Sequence, residues 1–111
     1  MVIREFDKLP HILRPDGIEM TDFFNGAPAG AGVHMGYGVF PPGIVAPPAV
    51  HQEDEYAFIL SGTIKAKIGN KVFEAKAPSA TFIPAGEEHI SFNDGGEECR
   101  LVWLLIERPA L

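Results

Sequence analysis

Pro84-Ala-Gly86-Glu-Glu-His89-Ile-Ser-Phe-Asn93 joins a turn, a histidine and a short strand-like run in ten residues. Proline followed two positions later by glycine is typical of a tight turn, and the residues after it favour a strand. Side chains four positions apart lie on one face of a strand, so His89 and Asn93 should point in the same direction. This stretch therefore predicts a turn that presents a histidine from one face of a β-strand.

A second segment upstream offers matching chemistry. Gly43 is followed by His51, Glu55 and Gly62, and the separation of His51 and Glu55 places both on one face if the chain is extended. With His89 they make two imidazoles and one carboxylate, a donor set that iron, manganese, nickel, cobalt and zinc can use with positions left for water or substrate. We expect His51, Glu55 and His89 to bind one divalent metal, whose identity these residue types do not select.

The rest of the chain predicts an all-β fold, because twelve glycines and ten prolines leave no long uninterrupted helix. The only helix-like piece, residues 16–24, is short. Thr63–Ile68 and residues 71–75 read as a hairpin, with Gly69-Asn70 supplying the positive φ angles of a two-residue turn. The other predicted strands cover residues 33–40, 56–60, 80–83, 89–92 and 100–107.

From about Val33 to its end the chain resembles a small single-domain cupin. Gly43, His51, Glu55 and Gly62 fall at the spacings of the first cupin motif, and Pro84, Gly86, His89 and Asn93 at those of the second, where Pro78 replaces the leading glycine. The resemblance implies a β-barrel of jelly-roll type, usually dimeric, with its site inside the barrel. We expect one domain, residues 1–111, with an N-terminal extension (1–30) before the conserved barrel (31–111).

One ligand position departs from the family pattern. Cupins with a metal commonly use three histidines and a glutamate, and by position His51, Glu55 and His89 match three of these ligands. The first histidine of the motif is replaced by Ala49, whose methyl group cannot coordinate a metal. His34 or Glu53 could supply a further ligand, but strand parity places His34 opposite the apolar residues of its segment, which predicts an outward side chain.

Two residues are candidates for moving protons at the site, Tyr37 and Glu53. Asn93 is a second polar position that packing alone does not require, which argues against a purely structural protein. The single cysteine, Cys99, lies beside two glutamates that raise its pKa, so we interpret it as unreactive.

Composition limits the partners. The formal net charge of −6 argues against nucleic acid or anionic membranes, because phosphate binding draws on clustered Lys and Arg. The longest late apolar run, residues 101–106, is far shorter than the roughly 20 residues that span a bilayer, and the first residues carry no signal-like apolar stretch. We expect a cytoplasmic protein, dimeric as the resemblance implies, whose partner is a small molecule.

Two functions remain open from the sequence. One is a metal-dependent enzyme acting on a small polar metabolite, by oxygenase, isomerase or lyase chemistry. The other is a non-catalytic binding or sensing cupin without metal, which the replacement of the first histidine favours.

Overall fold

The computed structural model describes residues 1–28 and 32–109, and nearly all of its regular structure is β-strand. The elements are a 3-10 helix, Phe6–Lys8, and the strands β1 Ile12–Leu13, β2 Glu19–Asn25, β3 Val33–Phe40, β4 Glu53–Ser61, β5 Thr63–Ile68, β6 Lys71–Lys76, β7 Ser79–Ile83, β8 Ile90–Phe92 and β9 Cys99–Glu107. Among these residues no helix is long and apolar enough to cross a membrane.

The strands form two antiparallel sheets that enclose the core as a jelly-roll barrel, which confirms the predicted fold class. The larger sheet has the order β1-β2-β3-β9-β4-β7 and the smaller one β6-β5-β8. Isolated bridges from Val45 to Phe92 and from Ala49 to His89 extend the smaller sheet with the segment that precedes β4. Both histidine-bearing segments therefore reach the same part of the barrel wall.

The predicted hairpin is present, with one difference in its turn. β5 and β6 pair from Thr63 with Lys76 to Ile68 with Lys71. Gly69 has a φ of 60°, but no residue other than glycine has a positive φ in the part of the chain that the structure describes. The turn therefore needs one left-handed residue rather than two, which is the pattern of a type II′ turn with glycine first.

The core lies between the sheets and brings together the inward side chains of strands far apart in sequence. Ile59, Leu101 and Cys99 are buried in it together with Phe40 and Ile18. Ile59 lies directly opposite Leu101 on paired strands. The alternation along β4 thus buries Ala57 and Ile59 and places Glu55 on the same inward face.

The helix-like reading of residues 16–24 is wrong, because most of this segment forms β2. Met20 pairs with Gly38 and Thr21 with Tyr37, and Thr21 is fully buried. Pairing with β3 supplies the hydrogen bonds and burial that the short segment lacks alone, and such tertiary contacts override weak local propensity. The expected boundary between an extension and the barrel, at residues 30 and 31, lies outside the described residues.

The predicted orientation of β3 is also wrong. Its inward face carries Gly36 and Gly38, whose backbones are covered by Trp103 and Leu101 of the paired strand. A Cβ on Gly36 would lie 2.2 Å from an indole carbon of Trp103. Glycines are needed on the inward face of β3 because large side chains of β9 lie over its backbone there. The larger apolar residues Val33, Met35, Tyr37 and Val39 therefore face outward, and His34 lies on the inward face.

Candidate metal centre

The three predicted ligands converge because backbone hydrogen bonds join their two segments. The amide of His89 donates to the carbonyl of Ala49, and the amide of Ala49 donates back, both at 2.9 Å. Gly86 has a φ of 81° and donates its amide to the carbonyl of His51 at 2.8 Å. The turn before His89 is thereby fastened beside His51 and the start of β4.

The imidazole nitrogens and carboxylate oxygens of His51, Glu55 and His89 lie within 4.8 Å of one another, close enough to hold one metal ion. We call these three residues the cluster. His51 Nε2 is 3.3 Å from Glu55 Oε1, and His89 Nε2 is 3.8 Å from Glu55 Oε2. The His89 side chain is 4% exposed, while those of His51 and Glu55 are 22% and 23% exposed. The cluster is enclosed by the barrel yet open on one side.

In both histidines a contact between Nδ1 and a main-chain carbonyl determines that Nε2 faces the cluster. Nδ1 of His51 lies 3.1 Å from the carbonyl oxygen of Glu53, and Nδ1 of His89 lies 3.0 Å from that of Glu87. A carbonyl oxygen only accepts, so each Nδ1 carries the hydrogen and each Nε2 presents a lone pair. Backbone carbonyls orient metal-binding histidines in this way in proteins generally.

Three acceptors that face one another need a cation. Two Nε2 lone pairs and the Glu55 carboxylate repel each other unless a metal ion, or a proton added to an imidazole, lies between them. The donor set, its spacing and its fixed tautomers all fit a divalent metal of the kind bound by nitrogen and carboxylate. The cluster is therefore able to hold a metal, as the sequence predicted.

The other candidate ligands lie near the cluster but outside it. Leu105 on β9 pairs with His34 on one side and with Glu55 on the other, so His34 faces inward with a strand between it and the carboxylate. Glu53 shares the inward face of β4 and lies one row beyond Glu55, opposite Glu107. Of the described residues, neither joins the group within ligand distance.

The two candidate proton carriers are in different places. Glu53 lies on the inward face of β4, two residues before Glu55. Tyr37 lies on the outer face of β3, where its ring packs against Phe6 and its hydroxyl accepts a hydrogen bond from Arg100 at 3.3 Å. The structure does not bring Tyr37 to the cluster.

Asn93 is buried but has a structural task that sequence reasoning missed. Its side-chain amide donates to the carbonyls of Phe40 at 2.9 Å and Glu97 at 2.8 Å, and its oxygen accepts from the amide of Gly95 at 3.0 Å. It therefore joins the end of β3 to the loop between β8 and β9. The inference that packing does not need Asn93 is wrong.

Asp54 holds the turn before His89 from the outer face of β4. Its carboxylate accepts from the amide of Ala85 at 2.9 Å and from Arg108 at 2.8 Å. The bond from the Ala85 amide, aided by Arg108, lowers the pKa of Asp54. The signal available in the sequence was parity, since Asp54 must face away from Glu55 on the same strand.

The pKa of Cys99 is raised, as predicted, but burial is the cause and the neighbouring glutamates are not. The residue is fully buried in the core, and this burial raises the pKa of its thiol from 9.0 to about 11. A thiol held protonated away from solvent is a poor nucleophile and a poor metal ligand.

A cavity of about 680 Å³ begins at the cluster and extends between the sheets. It falls within the range of roughly 300–1,000 Å³ typical of small-molecule pockets. Ala49, His51, Glu55 and His89 line one part of it, and much of the remaining wall is apolar: Met20, Phe40, Ala57, Ile59, Ile64, Ala66, Ile68, Ala75, Leu101, Trp103 and Leu105. The further charged residues along it are Glu74 and Lys76, which are exposed, and Lys65 and Glu87, which are half-buried.

Solved structures with the same fold come from several organisms. A predicted oxalate decarboxylase from Thermotoga maritima is 22% identical with a TM-score of 0.81, covering 97% of this chain and all of that chain. A cupin 2 conserved barrel domain protein from Salinispora arenicola is 18% identical with a TM-score of 0.80, covering 96% and 89% of the two chains. The polyketide cyclase RemF from Streptomyces resistomycificus is 18% identical with a TM-score of 0.82, covering 99% and 82%.

At these identities the structural matches establish the fold alone, and no curated protein sequence matches the chain. The family assignment comes from the sequence model of the cupin domain, which matches residues 36–105, more than half of the chain. That span contains both histidine-bearing segments and most of the barrel wall. The chain belongs to the cupin domain family.

Proposed function

We propose that this protein binds one divalent transition metal through Nε2 of His51, Nε2 of His89 and the carboxylate of Glu55, and acts there on a small molecule. The single observation that carries the proposal is the orientation of the two imidazoles. Their Nδ1 atoms are engaged by backbone carbonyls, so both Nε2 lone pairs are directed at Glu55. One divalent cation between them would satisfy both lone pairs and the carboxylate at once.

A divalent ion held there supplies Lewis acidity toward an oxygen atom of the bound molecule, and iron, manganese, nickel, cobalt and zinc all suit the donors. The chain's own residues do the rest. Ala49 is the cross-strand neighbour of His89 and lines the cavity with a methyl group, which leaves space beside the three side chains for a substrate to approach. Glu53, inward and one row from Glu55, is the residue we propose for moving a proton.

Two of the structural neighbours carry names of small-molecule enzymes, a predicted oxalate decarboxylase and a polyketide cyclase. They support an enzymatic role for a barrel of this shape without selecting a reaction, because one fold hosts many chemistries.

Metal analysis of matched variants tests the proposal. The protein is freed of metal with a chelator, titrated with Fe²⁺, Mn²⁺, Ni²⁺ and Zn²⁺ separately, desalted and analysed. We expect about one equivalent of at least one metal in the parent protein and a loss of at least about tenfold in affinity in Glu55→Ala, since a directly bound ligand is removed. Glu88→Ala, which removes an exposed carboxylate next to His89, is the control and should bind normally. Retention below about a tenth of an equivalent for all four metals would refute the proposal.

A second candidate function is a barrel that captures a metabolite without turning it over. The observation that favours it is Ala49, whose methyl group lines the cavity at the point where the cupin motif has a histidine. Thermal unfolding with a metabolite panel, with and without chelator, separates the two functions. Stabilisation that ignores the chelator supports capture alone, whereas metal-dependent stabilisation with turnover supports the enzyme.

We also propose a homodimer formed through the outer face of the larger sheet. Tyr56, Phe58 and Phe82 are 44%, 46% and 51% exposed there, and the rings of Tyr56 and Phe82 are 5.0 Å apart on paired strands. Contiguous exposed aromatic residues are typical of protein interfaces. Light scattering should give the mass of two chains and, for Phe58→Asp, of one; a monomeric parent protein at all concentrations would contradict the dimer.

The net charge of −6 and the single buried cysteine support a cytoplasmic protein without nucleic acid or membrane partners.

A further inference from the structure

Away from His51, Glu55 and His89, most of the residues that line the cavity are apolar on both of its walls. Ile59, Leu101 and Trp103 line it from the larger sheet, and Ile64, Ala66 and Ile68 line it from β5. The polar groups of His51, Glu55 and His89 are gathered at one part of this space. A molecule that fills the cavity therefore meets polar ligands with one part and hydrocarbon with the rest.

Trp103 forms a fixed part of the wall next to the cluster. It pairs with Ala57, two residues along β4 from Glu55, and with Gly36 on the other side. The indole lies against the backbone of Gly36, where a Cβ would be 2.2 Å away, so any larger residue there would displace the ring into the cavity. The absence of a side chain at Gly36 and the small one at Ala57 leave room for the indole between the two neighbouring strands.

Two polar atoms along this cavity are buried and have no hydrogen-bond partner among the described residues, Nε1 of Trp103 and Oγ of Ser79. Both residues line the cavity. Both atoms are themselves buried, so a molecule in the cavity gains no hydrogen bond from them to offset the loss of its own hydration. They are few, and they cannot replace the hydration of a molecule that is polar throughout.

We propose that the molecule taken by this site is amphipathic, with an oxygen-bearing head at the cluster of His51, Glu55 and His89 and an apolar body, alkyl or aromatic, lying along the half-buried side chains of Trp103, Leu105 and Ile68. This deepens the proposed function and rests on it for the head group, which the bound metal would hold. It replaces the small polar metabolite expected from the sequence, because the apolar lining rewards hydrocarbon and leaves polar groups unpaired.

The affinity of a homologous probe series measures the effect of the body. Acetohydroxamate and octanohydroxamate share a metal-binding head and differ by a run of methylenes. Each methylene that the cavity buries should tighten binding about fourfold, the equivalent of about 0.8 kcal/mol. We expect octanohydroxamate to bind the metal-loaded protein at least about 30-fold more tightly than acetohydroxamate, because several methylenes will be buried. Trp103 is the only tryptophan, so its fluorescence reports the arrival of the chain beside it.

Filling the cavity gives a matched pair of variants. Ala66→Leu adds a side chain to the cavity wall, whereas Lys67→Leu adds one to the exposed outer face of the same strand. Ala66→Leu should reduce the preference for octanohydroxamate at least about tenfold, and Lys67→Leu should leave it unchanged. Ala75→Leu, on β6 in the same wall, serves if Ala66→Leu does not fold. Metal content, measured on each variant, shows that the cluster is intact.

The outcomes separate this inference from the function on which it rests. Metal binding with equal affinity for both hydroxamates would overturn the amphipathic ligand and leave the metal centre standing. If the protein binds no metal, acetate and octanoate are titrated into the metal-free protein instead. A clear preference for octanoate, lost in Ala66→Leu, would then preserve the ligand class and refute the metal centre, and no preference would refute both.

Discussion

Replacing Asn93 by alanine should destabilise the barrel without removing the metal site. The side chain makes three hydrogen bonds, to Phe40, Glu97 and Gly95, and is 2% exposed. At about 0.5–1.5 kcal/mol for each bond, and with buried carbonyls left unpaired, the free energy of unfolding should fall by about 3 kcal/mol. For a chain of this length the midpoint of thermal unfolding should fall by about 10 °C or more.

The assay is urea and thermal unfolding followed by circular dichroism, with metal content measured on the folded variant. Asn25→Ala is the matched control, because Asn25 is exposed at the end of β2 and should change stability by less than about 0.5 kcal/mol. Metal content should stay at the parent level in Asn93→Ala, since Asn93 contacts no ligand residue. A stability loss below about 0.5 kcal/mol, or a folded variant that has lost its metal, would refute the structural role.

Three further predictions concern the cluster, two glycines with positive φ, and the buried thiol. Ala49→His, which adds a fourth donor beside its cross-strand neighbour His89, should tighten metal binding at least about tenfold in a competition titration. The control Val50→His changes the exposed neighbouring residue and should not tighten it. Equal affinities for the two variants would mean that position 49 does not face the metal. Gly62→Ala should lower the free energy of unfolding by at least about 2 kcal/mol, because φ is +76° and a Cβ would lie 2.4 Å from a backbone carbonyl oxygen. Gly69→Ala, at a φ of +60° with open space around the Cβ, should lower it by only about 1 kcal/mol. Similar losses for the two variants in urea unfolding would contradict the steric argument. Burial raises the pKa of Cys99 from 9.0 to about 11, so the thiol's contribution to the free energy of unfolding is complete below pH 9. That contribution should decline between pH 9 and 11, by up to about 2–3 kcal/mol. The decline should be absent from Cys99→Ala, and parallel profiles of unfolding free energy against pH for the two proteins would refute it.

Much of the fold was readable because its strands end at glycine and proline. β3 was predicted with the bounds that the structure shows, and β5 within the hairpin likewise. The faces of β3 were not readable, because a strand that buries glycines under a tryptophan inverts the usual rule that the apolar side points inward. Gly36 and Trp103 are far apart in sequence, and only their pairing reveals the reason.

The convergence of His51, Glu55 and His89 could be predicted from the sequence, since strand parity and the resemblance both pointed to these three residues. What spacing could not supply was the environment of these groups. The tautomers depend on the carbonyls of Glu53 and Glu87, which local backbone geometry brings into reach. The apolar cavity depends on strands from both sheets, so the character of the ligand emerges only after the barrel has closed.

The most direct test of the metal centre is an anomalous difference map from crystals of the manganese- or nickel-loaded protein. We predict one peak per chain, within about 2.0–2.3 Å of Nε2 of His51, Nε2 of His89 and a carboxylate oxygen of Glu55, with both Nδ1 atoms still bonded to their carbonyls. Loaded crystals with no peak between these three side chains, or with the metal bound elsewhere, would contradict the proposed centre.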